Sequence, residues 1–158
     1  MGDPDHPALI DSQTLEPTQA YYDSRTVIQE INKISDTFVQ FRNLGAYTIN
    51  GEAKGYLKTR DELQFKEFDA ITVTTESPLL VGCFEKRGNS GAKACILVNM
   101  EELLRKTKKT DVTVKIENLN GQRVFSYRGG ERTQVELDEN GEFKVSMDSG
   151  EGIFYKKE

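Results

Sequence analysis

The chain has 158 residues, of which 36% are hydrophobic and 30% charged, enough for one well-buried core plus an appended element in an ordered protein. The formal net charge is -5 with both signs interspersed, so no basic field exists to hold a phosphate backbone, and nucleic acid is excluded as an expected partner. No run approaches the roughly 18 consecutive apolar residues of a spanning helix, and the first residues lack the charged and apolar regions of a signal peptide, so no membrane partner is expected.

Residues 1–16, with Pro4 and Pro7 among acidic residues, read as a mobile lead. From Pro17 the pattern changes. Val27, Ile31, Ile34, Phe38 and Phe41 recur at spacings of four, three, four and three, which puts all five on one helical stripe and predicts an amphipathic helix over 17–43. Thr14 suits its N-cap, Pro17 its first turn, and Gly45 its stop. Burying each stripe residue is worth about 1.5–3 kcal/mol, so the helix is expected to lie across a face of the following domain or to pair with its copy in a homodimer.

Residues 44–69 read as a connecting segment with glycines at 45, 51 and 55 and one short strand near 46–49. Beyond it the pattern is β. Alternation and turn residues mark strands at 70–75, 79–86, 92–100, 112–118, 123–128, 133–138, 142–148 and 152–156, with turn signals every eight to twelve residues. Three hairpins are expected, about Gly88–Gly91, Asn120-Gly121 and Asn140-Gly141. The predicted fold is therefore mostly β: an antiparallel sandwich of about eight strands over 70–158, preceded by the helix. The acidic-then-basic run 101–109 suits a helical turn in a solvated crossover.

Cys83 and Cys95 flank the first hairpin turn almost symmetrically. They read as two small buried thiols, with a disulfide as the alternative. Two cysteines and a distant His6 do not make a metal site, and no cofactor motif is present. His6 lies far from any scaffold that could hold a general base, and the many carboxylates fall at strand ends and in turns rather than as a convergent pair, so no catalytic residue is assigned. A glycan site would need aromatic faces beside polar groups. With no Trp in the chain, Tyr47, Tyr56, Tyr127 and Arg128 are the candidates.

Pro7-Ala8-Leu9-Ile10-Asp11, Glu16-Pro17-Thr18-Gln19-Ala20-Tyr21-Tyr22 and Val27-Ile28-Gln29-Glu30-Ile31-Asn32 resemble the last barrel helix, with its lead-in, of bacterial β-galactosidase-like glycoside hydrolases related to family 42. Leu79-Leu80-Val81-Gly82-Cys83-Phe84, Ala94-Cys95-Ile96-Leu97-Val98-Asn99 and Gly150-Glu151-Gly152-Ile153-Phe154 resemble the small all-β domain that follows in such enzymes. The resemblance implies a non-catalytic structural or interdomain domain whose partner is the parent's catalytic (β/α)8 barrel. In such enzymes the two catalytic glutamates sit on barrel strands that precede this helix, so the resemblance carries no catalytic residue over to this sequence. It also slightly favours a cytoplasmic parent over a secreted one. The alternatives are a carbohydrate-binding module and a cell-surface interaction domain.

Overall fold

The computed structural model describes residues 8–50, 68, 71–101 and 109–158. Among the described residues one helix, α1 (Gln19–Phe38), precedes nine strands: β1 (Phe41–Ile49), β2 (Ile71–Thr74), β3 (Leu79–Lys86), β4 (Asn89–Asn99), β5 (Thr110–Ile116), β6 (Val124–Arg128), β7 (Glu131–Val135), β8 (Glu142–Met147) and β9 (Gly152–Lys157). They form a six-stranded sheet in the order β1-β3-β4-β9-β6-β7 and a three-stranded sheet in the order β2-β5-β8. Every pairing is antiparallel. The mostly β sandwich with a leading helix is the architecture the alternation predicts, and its eight strands beyond residue 70 are β2 to β9.

Period-two alternation sorts the side chains by face. Leu79, Val81 and Cys83 of β3, Cys95 and Leu97 of β4, and Ile153 and Tyr155 of β9 point inward. There they meet Val112, Val114 and Ile116 of β5, with Met147 of β8, to form the core between the sheets. The six-stranded sheet is apolar on its outer face as well. Phe41, Phe84, Ala94, Phe125, Tyr127 and Phe154 form a second buried cluster there, with Ile34 of α1 packed against it.

The helix is shorter than 17–43. Thr18 takes the N-cap position that the sequence suggests for Thr14, but its side chain caps nothing in the helix. Its hydroxyl instead donates to the Ala8 carbonyl at 2.6 Å, within a hydrogen-bonded turn of the lead. The C-cap is Val39, and Gly45 lies inside β1 rather than at a helix stop. Phe41 mimics the next helical position because a tight reversal at 39–40 returns the chain to the same aromatic cluster, now as an edge strand. That strand is correspondingly longer than the short one expected near 46–49. It carries a bulge between Asn43 and Gly45, where Gly45 adopts φ 149°.

Only one of the three expected hairpins forms. The β3–β4 hairpin turns at Arg87-Gly88 and resumes at Asn89, three residues earlier than expected. The Asn120-Gly121 turn has the positive angles its residues favour, φ 48° and 80°, yet it leads from β5 in one sheet to β6 in the other. Likewise Asn140-Gly141 carries the chain from β7 to β8, across the sandwich. The reason is burial on both sides of β6: Val124 faces the inner core while Phe125 and Tyr127 face the outer cluster, which suits a strand of the two-faced sheet. Its hairpin partner is β7, through Gly129-Gly130 at φ 56° and 78°, the two-residue geometry that matches strand twist.

Candidate functional site

The most distinctive surface is built by α1 on the outer sheet face. Phe154 stands at its centre, 1% exposed, with ring centroids 5.5 Å from Phe38, 5.5 Å from Phe41, 5.9 Å from Phe84 and 6.0 Å from Tyr127. Phe38 also meets Phe84 edge-on at 5.3 Å. Such tilted and edge-on contacts are the arrangement ring quadrupoles favour. The helix presses closely on the β6–β7 turn as well: a Cβ at Gly130 would fall 2.9 Å from the Lys33 Cβ and 3.1 Å from the Glu30 carbonyl. Of the two expected placements of the helix, this is the one across a face of the sandwich.

That packing uses only part of the apolar stripe. Ile34 and Phe38 reach the aromatic cluster and Phe41 is buried, whereas Val27 and Ile31 are 54% and 56% exposed, as is their neighbour Ile28 at 57%. Among the described residues, every exposed large hydrophobic side chain falls between Leu9 and Val39. The exposed apolar surface is therefore concentrated on the helix and its lead. A concentrated apolar patch is a candidate interaction surface, whereas isolated exposed apolar residues need no explanation.

Of the residues considered for glycan binding, the three that the structure describes do not converge. Tyr127 is buried in the aromatic cluster, with the Lys156 ammonium 5.6 Å from its ring, so neither face is open to a sugar. Tyr47 packs partly buried against the inner core on β1, and its hydroxyl is pushed above its ordinary pKa by burial, then by the nearby Cys83 and Cys95. Tyr56 lies outside the described residues. Arg128 is held by both carboxylate oxygens of Glu151, at 2.6 and 2.7 Å, and donates to the Ser146 carbonyl at 3.0 Å. It fastens β6 to β8 and to the turn before β9, an engaged structural role.

An open cleft of about 460 Å³ lies where β1 meets the β3–β4 hairpin, lined by Arg42, Glu85, Lys86, Arg87, Gly88 and Asn89. Its charges are largely committed: Glu85, the one buried acid among the described residues, is paired with Arg42, and Arg87 donates to the Val39 carbonyl at 3.2 Å. The second of these bonds places a cation on the carbonyl end of α1, where the helix dipole favours it. Among the described residues no group of three His, Cys, Asp or Glu could hold a metal ion, and no helix is long and apolar enough to cross a membrane.

Sequence reasoning passed over Phe84, Phe125 and Phe154 as elements of a distinct surface. The signal lay in consecutive apolar residues, Cys83-Phe84, Val124-Phe125 and Ile153-Phe154-Tyr155, since a strand that is apolar at successive positions is covered on both faces. No family model matches the chain, and neither the curated proteins nor the solved structures yield a match.

Proposed function

We propose that the chain is a non-catalytic accessory domain that works by packing: it docks through the open half of the α1 stripe onto the catalytic (β/α)8 barrel of a bacterial glycoside hydrolase related to family 42. The observation that carries this reading is the confinement of exposed large hydrophobics to Leu9–Val39 among the described residues. The resemblance of the same segment to a last barrel helix supplies the partner. Covering the exposed halves of Val27, Ile28 and Ile31 is worth on the order of 1 kcal/mol each. The sandwich then acts as a rigid support, with the Phe38–Phe154 cluster holding the helix in place.

The test begins with the genomic reading frame upstream of the Met1 codon. If it encodes a (β/α)8 barrel, that barrel is produced separately and titrated with the chain by calorimetry. The reading expects saturable binding that Ile31→Asp weakens by about tenfold or more. A frame without a barrel, a barrel that does not bind, or heats released by oligosaccharides in place of the barrel would each refute it.

A further inference from the structure

We propose that Cys83 and Cys95 form a covalent modification site, a thiol pair that hydrogen peroxide closes into a disulfide between β3 and β4 inside the sandwich.

The strand register carries the inference. Cys83 stands directly opposite Cys95 in an uninterrupted run of pairs from Leu79–Asn99 to Glu85–Lys93. Opposed residues on antiparallel strands alternate between hydrogen-bonded and non-hydrogen-bonded pairs. The Met100 N–H donates to the Pro78 carbonyl at 2.9 Å, which makes that pair hydrogen-bonded. Cys83 and Cys95 lie an odd number of steps further along and therefore form a non-hydrogen-bonded pair, the kind whose side chains stand closer. Pairs of that kind have Cα atoms about 4.5 Å apart, within the roughly 4.4–6.8 Å that a disulfide spans.

Both side chains lie on the inner face, 0% and 1% exposed. Across the sheet the row continues to Tyr155 opposite Cys95 and to Gly45 opposite Cys83. The Cys95 thiol is pushed above its ordinary pKa first by burial and then by Cys83, as expected of two thiols side by side. Few thiolates therefore exist at neutral pH, and oxidation of the folded chain is slower than that of an open thiol.

The step balances without a further reactant. One sulfur, deprotonated, attacks a peroxide oxygen; the O–O bond breaks, and the departing hydroxide takes up the released proton as water, leaving a sulfenic acid. The second sulfur then displaces the sulfenic oxygen, which leaves as a second water when it gains the remaining thiol proton. Two thiols and one hydrogen peroxide become one disulfide and two waters, each sulfur having lost one electron.

The test treats the full chain with hydrogen peroxide, removes the oxidant, and counts thiols after unfolding in urea. The expected result is loss of both thiols, a mass lower by about 2 Da for the two hydrogens, and recovery of both thiols with dithiothreitol. Trypsin cuts after Lys86, Arg87 and Lys93, so the same sample yields a linked pair of peptides, 67–86 with 94–105. Mass gains from oxygen on either cysteine, disulfide-linked dimers, or two thiols still intact after an exposure about a hundredfold longer than fully oxidises the urea-unfolded chain would each overturn the proposal.

Discussion

If α1 is held on the sheet by aromatic contacts, Phe38 and Phe154 must be energetically coupled, and a double-mutant cycle measures that coupling directly. Phe154 is 1% exposed and contacts four other rings, so Phe154→Ala is expected to cost about 3–5 kcal/mol. Phe38 is 37% exposed, and its truncation is expected to cost about half as much, near 2 kcal/mol. Their rings lie 5.5 Å apart at 69°, a geometry worth about 0.5–1.5 kcal/mol beyond area burial, so the double variant should fall short of the sum by about 1 kcal/mol. Urea melts followed by far-ultraviolet circular dichroism and tyrosine fluorescence give the four stabilities, the chain having six Tyr and no Trp. Additivity within about 0.3 kcal/mol would refute the packing of the helix on this face.

Gly130→Ala and Gly121→Ala both place a side chain at a positive φ, 78° and 80°, but only the first meets α1. Thermal melts are expected to show a loss of about 1 kcal/mol at Gly121 and clearly more at Gly130, where the Lys33 Cβ and Glu30 carbonyl stand in the way. Asn99 is 1% exposed and joins the sheets: its amide donates to the Met147 carbonyl at 3.2 Å, and its oxygen accepts the Glu101 N–H at 3.0 Å. Asn99→Ala strands both partners and is expected to cost about 2–3 kcal/mol in urea melts, whereas a loss under about 0.5 kcal/mol would remove the latch from the account. Glu158 is held below its ordinary pKa by a hydrogen bond from Lys156 and then by one from Arg132. Its stabilising contribution is present above the ordinary glutamate value and is lost as the pH falls through the lower folded value. Glu158→Gln should therefore be less stable than the native chain at neutral pH and equal to it in strong acid, as melts across that range would show.

Strand alternation exposed most of the architecture to a reader of the sequence, because it depends on burial that each strand records in its own residues. The pairing of strands was less legible. Asn120-Gly121 and Asn140-Gly141 are good local turns, but a turn sets the direction of the chain over four residues and does not decide which sheet receives the next strand. That choice follows from Val124, Phe125 and Tyr127 being apolar on both sides of β6. The end of the helix was obscured for a related reason: Phe41 continues the helical spacing while sitting in β1, since both elements aim at the same aromatic cluster. The apolar stripe of α1 was visible as a period of 3.6. Its division into a half covered by the sheet and a half left open depends on where β6, β9 and the Gly129-Gly130 turn lie, which no local pattern records.

The division of that stripe is tested most directly by comparing Ile31→Asp with Ile34→Asp in the chain alone. Ile34 packs against the aromatic cluster, so a carboxylate there is expected to cost at least about 2 kcal/mol in urea melts. Ile31 is 56% exposed, and the same substitution there is expected to change stability by no more than about 0.5 kcal/mol. Equal losses at the two positions, or no loss at Ile34, would contradict a helix fastened by one half of its apolar stripe and open for docking along the other.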